Sequence, residues 1–280
     1  MAYSTLIDGV TLDRHLGDPD WCVVDLRHQL SDIGYGERSY AAAHIPGAIF
    51  LHLDRDLSGP MTGSNGRHPL PDQEALVARL SAVGIDNNTQ VVVYDDAAGM
   101  IAGRLWWLLR RLGHEKVAFL DGGFPLWQTE GRPLNADTVG RPSTRFTAQD
   151  KSLAGEVDAV WLQAHLNSSE LCLIDARGPD RFRGENETMD PVGGHIPGAR
   201  NRCFKDNLEA DGRFKPAAQL RAEYLALLAG ASPGQVVAQC GSGVSACLNL
   251  LAMEVAGLHG ARLYPGSWSE WCSDPSRPVA

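Results

Sequence analysis

The sequence predicts an α/β protein made of two tandem domains, each a mainly parallel sheet with helices on both faces. Three observations predict it. The chain has 280 residues, which suits two domains of ordinary size. Short β-branched runs alternate with helical segments through both halves. The landmarks of the first half also return in the second half, in the same order.

The repeat is plainest at His44-Ile45-Pro46-Gly47-Ala48, which recurs as His195-Ile196-Pro197-Gly198-Ala199. Upstream of these lie Trp21-Cys22-Val23-Val24-Asp25-Leu26-Arg27 and Leu171-Cys172-Leu173-Ile174-Asp175-Ala176-Arg177. The aspartate-to-histidine spacings are 19 and 20 residues. Downstream, Val91-Val92-Val93-Tyr94-Asp95 matches Val236-Val237-Ala238-Gln239-Cys240, and Asp121-Gly122-Gly123-Phe124 matches Pro265-Gly266-Ser267-Trp268. A period of about 150 residues is that of a duplicated domain and far exceeds a solenoid unit.

The elements follow in order. Residues 22–26, 91–94 and 116–120, then 171–175, 235–239 and 261–264, are short apolar runs bounded by turn residues, the pattern of strands buried on both faces. A helix is expected over 72–83, opened by Pro71-Asp72 and closed at Gly84. Helices over 102–112 and 245–256 close at Gly113 and Gly257. The expected domains are 1–145 and 157–280, joined by a polar linker at 146–156 that matches nothing in the repeat.

Composition excludes several functions. Lys and Arg number 25 against 34 Asp and Glu, a formal charge of −9. Such a chain repels phosphate backbones and anionic membranes, so neither nucleic acid nor membrane is an expected partner. No apolar run approaches the length of a membrane span, and the N-terminus lacks the pattern of an export signal. The six cysteines form no CxxC pair or zinc spacing, so no metal site is expected. Reduced thiols in the cytoplasm are the expected state, with Cys22 and Cys172 as inert core residues.

The chemistry is expected in Cys240-Gly241-Ser242-Gly243-Val244-Ser245-Ala246. The segment leaves a buried strand and feeds a helix, with Ser245 as the expected N-cap. Ligands of open α/β sheets bind at such strand ends. Gly241 and Gly243 let the backbone curl so that its amides face a common centre, where they and the helix terminus favour negative charge on sulfur. A cysteine phosphatase would need an arginine six residues after the cysteine to fork phosphate, and position 246 is Ala246. The corresponding loop of the first domain carries Asp95, so that domain is expected to be chemically silent, with Asp95-Asp96 a solvated loop end. His44 and His195 are expected to tie turns to the backbone, ahead of a proton relay at a cleft, and His68 to sit in a surface loop, ahead of a cleft-facing position. Arg104 is read as a helix-surface residue over Trp107 or a source of charge at a cleft, and Trp268 as a candidate pocket wall.

Taken together, these segments resemble the tandem-domain rhodanese superfamily, which includes thiosulfate and 3-mercaptopyruvate sulfurtransferases. The resemblance spans nearly the whole chain. Its most specific part is the loop 240–246, which is similar to the Cys-Gly-Ser-Gly-Val-Thr-Ala loop of the mercaptopyruvate branch, with Ser245 in place of threonine. It implies ping-pong sulfur transfer: Cys240 takes a sulfur from a donor as a persulfide, then yields it to cyanide, a thiol or thioredoxin, with no cofactor. It also implies a catalytic role for Ser242 and donor contacts from Gly241, Gly243, Val244, Ser245 and Ala246. The neutral Gly241 and Ser242 favour mercaptopyruvate over thiosulfate. Of the two donor-binding arginines of that branch, Arg181 matches the first. Met189 or Asp190 occupies the place of the second, which leaves Arg183 as its candidate substitute. The competing reading from another class is a rhodanese module that carries sulfur or senses redox state without turnover.

Overall fold

The structure, a computed structural model, describes residues 2–138, 140–149 and 154–280. Two five-stranded sheets form, one per half, and every strand pairing in both is parallel. The first contains β1 (Leu6–Ile7), β2 (Trp21–Asp25), β3 (Ile49–Phe50), β4 (Gln90–Tyr94) and β5 (Val117–Leu120), in the order β1-β5-β4-β2-β3. The second contains β6 (Gly155–Glu156), β7 (Cys172–Asp175), β8 (Arg200–Asn201), β9 (Val236–Gln239) and β10 (Arg262–Leu263), in the order β6-β10-β9-β7-β8. The two orders are the same order, which is the duplication read from sequence. The apolar runs became the central strands. The two-residue strands at the sheet edges, β1, β3, β6 and β8, were not foreseen, because two residues carry no periodicity.

The central strands are buried along their length, as parallel strands under helices must be. Each sheet has its own core. One gathers Val23, Val92, Tyr94, Phe124 and Trp127, the other Leu173, Val237, Tyr264, Trp268 and Trp271. Each also buries one ion pair at the end of its second strand. Arg27 forks Asp25 and donates to the Ala43 carbonyl at 2.6 Å, while Arg177 forks Asp175 and donates to the Gly194 carbonyl at 2.7 Å. A buried pair is tolerable only when its remaining donors are satisfied, and both arginines meet that condition by reaching the turn before the HIPGA segment.

The chain divides into two compact units, and they are not simple halves. One holds Met1–Ser58, Pro71–Leu153 and Leu208–Phe214, and the other holds Gly59–Leu70, Ala154–Asn207 and Lys215–Ala280. The expected linker at 146–156 includes residues 150–153, which lie outside the described residues. Both exchanged segments fall at the same point of the repeat. One follows the helix Leu53–Asp56 and precedes Gln73–Ala82, and the other follows the 3₁₀ turn Phe204–Asn207 and precedes Ala217–Leu228. Among the described residues no helix is long and apolar enough to cross a membrane.

Candidate active site

The site is built in the second unit, where β9 ends at Gln239 and the helix Ala246–Val255 begins. Cys240 opens the intervening loop, and the residue is 2% exposed. Gly243 turns the loop with φ of +74°, and a Cβ there would stand 2.1 Å from the Pro265 carbonyl oxygen. Both the dihedral and the close approach require glycine. Among the described residues the amides of Gly241, Ser242, Val244, Ser245 and Ala246 have no hydrogen-bond acceptor. Five amide donors thus follow Cys240 directly. Val244 and Ala246 are buried beside it. Ser245 does flank the helix start, but its backbone is already helical and its side chain makes no capping bond. The expected cap is therefore absent, and the hydroxyl serves no helix-end role.

The loop is clamped by the segment Tyr264–Ser269. The Cys240 amide donates to Ser267 Oγ at 3.1 Å, and that hydroxyl donates to the Tyr264 carbonyl at 2.9 Å. The Trp268 and Ser269 amides donate to the carbonyls of Cys240 and Gly241. Ser267 holds φ of +55°, an unusual conformation for a residue with a side chain, and it is kept at the residue that fixes the cysteine backbone. Trp268 does not line a pocket. It is fully buried, donates to the Val192 carbonyl and lies beneath the Arg177 guanidinium.

Three residues of the exchanged segment 59–70 lie on this loop. Gly66, with φ of +82°, packs so closely that a Cβ there would meet the Gly266 carbonyl at 2.7 Å. The Arg67 amide donates to Ser269 Oγ. His68 is buried, and its Nδ1 lies 2.7 Å from Ser242 Oγ. His68 therefore lies at the site rather than in a surface loop, and sequence reasoning missed it. A polar Gly-Arg-His-Pro stretch looks like surface, and the partner hydroxyl is 174 residues away. The available signal was that Gly66-Arg67-His68 returns as Gly212-Arg213-Phe214 at the same point of the repeat, with a proton-bearing ring only in the first copy.

Arg181 sits in the short helix Pro179–Phe182. It forks Glu187, with contacts of 2.8–3.1 Å, and reaches Asp190 at 3.3 Å. Arg67 also binds Asp190. Both arginine heads lie over Gly241, where an added Cβ would meet Arg67 Nη2 at 2.9 Å and Arg181 Nη1 at 3.4 Å. Arg183 does not join them. The backbone there is helical rather than extended, so its side chain points outward and forks the exposed Glu185. Burial opposes the Glu187 charge, yet the Met189 amide and Arg181 hold its carboxyl below the usual range. Asp190 goes the other way: burial pushes it up more than Arg67 pulls it down, and Glu187 repels it.

In the first unit the equivalent loop is filled by its own side chain. Asp95 is buried, and its carboxylate accepts from the amides of Ala97, Gly99, Ile101 and Ala102 at 2.8–2.9 Å. It is therefore not a solvated loop end. His44 and His195 are structural: His44 Nδ1 pairs with the Tyr40 carbonyl and His195 Nδ1 with the Phe182 carbonyl. Arg104 is fully buried and so is not a helix-surface residue. Cys22 is pushed up to about 12 by burial, and Cys172 is pushed up for the same reason, which makes both inert as thiolates. Cys247 is buried in its helix.

These features define a duplicated parallel α/β protein with one cysteine-bearing loop and one carboxylate-filled loop. The chain belongs to the rhodanese family: the Rhodanese-like domain model matches residues 10–130 and 158–274. It is 49% identical over 283 residues to a Pseudomonas aeruginosa protein named "Probable 3-mercaptopyruvate sulfurtransferase", covering 100% of this chain and 99% of that one. It is 32% identical over 296 residues to thiosulfate/3-mercaptopyruvate sulfurtransferase 2 of Arabidopsis thaliana, covering 96% and 84%. The crystal structure of SseA from Escherichia coli, titled as a 3-mercaptopyruvate sulfotransferase, superposes with a TM-score of 0.81 at 29% identity, covering 95% and 99%.

Proposed function

We propose that this chain is a sulfurtransferase that moves sulfur from a small anionic donor to a thiophilic acceptor through a persulfide on Cys240. The observation that carries the reading is the placement of Cys240: a buried cysteine heads a loop of five acceptor-less amides, and the Ser242–His68 pair stands beside it. In the family whose relatives are named as sulfurtransferases, this is an arrangement suited to a soft, anionic sulfur.

The donor is 3-mercaptopyruvate, with thiosulfate second. Cys240 sulfur attacks the donor sulfur, an S–S bond forms, the donor C–S bond breaks, and its electron pair leaves on carbon. The carbon takes a proton to give pyruvate. Ser242 Oγ is positioned to hydrogen-bond the donor, and His68 to relay the proton through it. Cyanide then attacks the outer sulfur, forming thiocyanate and restoring the thiol, so one transfer is split into two easier ones. A small thiol or reduced thioredoxin serves as acceptor in the same way. Gly241, Gly243, Val244, Ser245 and Ala246 supply the backbone cradle, and Arg181 anchors the donor anion. The six free cysteines fit work in a reducing cytoplasm.

The test is intact mass after donor alone, then steady-state kcat/KM for both donors with cyanide. The expected result is one added sulfur atom on the wild-type chain, none on Cys240→Ser, and no turnover by that variant. Sulfur loading without turnover would instead favour a carrier module. The absence of both loading and turnover in the wild type would overturn the reading.

A further inference from the structure

The family resemblance places Met189 or Asp190 where the mercaptopyruvate branch carries its second donor-binding arginine. The structure shows what that acid does. Asp190, its side chain 4% exposed, holds Arg67, a residue of the exchanged segment 59–70. Arg67 is fixed at its backbone by Ser269 Oγ, two residues along from the Ser267 that fixes Cys240. Its head and that of Arg181 lie over Gly241, the residue next to the reactive cysteine. Their side chains remain 24% and 22% exposed, so both are reachable from solvent, whereas Asp190 and Glu187 lie beneath.

We propose that Arg67 is the second anion anchor of the donor site, with Asp190 its built-in counter-ion. This rests on the reading of the site as a donor site for a small carboxylate. The two guanidiniums come from separate segments, Arg181 from the helix Pro179–Phe182 and Arg67 from the segment Gly59–Leu70. A carboxylate bound between them sits one residue from the thiol, a span suited to a three-carbon keto acid whose sulfur is on the far carbon. Arginine is the residue for this task, because its planar fork meets both carboxylate oxygens. Asp190 keeps Arg67 aimed at the loop and offsets its charge, so an arriving anion competes with Asp190 for the same guanidinium. Thiosulfate, with no carboxylate to fork, gains less from the pair.

The test uses Arg67→Gln, Asp190→Asn and, as a control, the outward Arg183→Ala. Two readouts are taken on the full chain. One is KM and kcat for 3-mercaptopyruvate with cyanide. The other is the ratio of Cys240 alkylation rates by iodoacetate and iodoacetamide, read by peptide mass, which asks for a carboxylate site beside the thiol whatever the natural donor is. Arg67→Gln is expected to raise KM about tenfold, with a much smaller change in kcat, and to lower the ratio by about as much, the loss of one charge-assisted contact. Asp190→Asn is expected to raise the ratio and lower KM, the direction a folding defect would not give. Arg183→Ala should change neither. If Arg67→Gln leaves KM and the ratio within about twofold of wild type, the anchor is refuted. If Asp190→Asn lowers the ratio, the counter-ion role is refuted. Absence of turnover in the wild type, with the ratio still responding to Arg67, would sink the donor assignment while leaving the anion site standing.

Discussion

The bond between His68 and Ser242 joins the two halves of the chain at the scale of a single proton. If His68 relays a proton through Ser242, Ser242→Ala and His68→Asn should each lower kcat for mercaptopyruvate by about 100-fold or more, the usual worth of general acid–base help. The double variant should cost little beyond either single one, because one relay is removed in each case. Steady-state kinetics of the three variants checks this, and additive losses would argue for separate roles. The loop that holds Cys240 and Ser242 was legible in sequence, between a strand and a helix, because its motif is contiguous. His68 and Arg67 were not, since nothing in Gly66-Arg67-His68-Pro69 announces a partner far along the chain. Arg183 was offered for the second anchor because it was near in sequence, and two residues of helical backbone, about half a turn, aim it away.

Among the elements, the paired loops after β4 and β9 differ in what fills them. The Asp95 carboxylate fills with four amide bonds the place that the Cys240 loop leaves to sulfur. Asp95→Asn would turn an amide NH₂ toward two of those donors. The expected cost is about 3 kcal/mol by chemical denaturation, with kcat for sulfur transfer nearly unchanged. A second element makes a pH prediction. Burial works against the Glu223 charge, but Arg202, Gln219 and Lys215 donate to it and hold its carboxyl at about 2, down from 4.5. A depressed folded value stabilises above the ordinary carboxylate range, and that contribution is lost as pH falls from about 4.5 toward about 2. Glu223→Gln should flatten the stability-versus-pH curve in that window, leaving a smaller acid-induced loss than wild type.

For the whole molecule, the two parallel sheets and their duplication were readable from a repeated pattern of apolar runs and landmarks. The division into units was not, because the exchanged segments are short and polar and carry no periodicity to assign them. A consequence follows for dissection. Residues 154–280 contain the cysteine, the amide loop and Arg181 but lack Gly66, Arg67 and His68. Expressed alone, they should show far lower kcat/KM for mercaptopyruvate than the full chain, even where circular dichroism reports a folded sheet. Turnover near that of the full chain would mean that the segment 59–70 is dispensable. The same exchange has a meaning in time. A ribosome adding about 5–20 residues per second makes His68 roughly 10–35 seconds before Ser242. The imidazole is thus synthesised before the hydroxyl it meets, and every newborn Ser242 emerges with its partner already waiting.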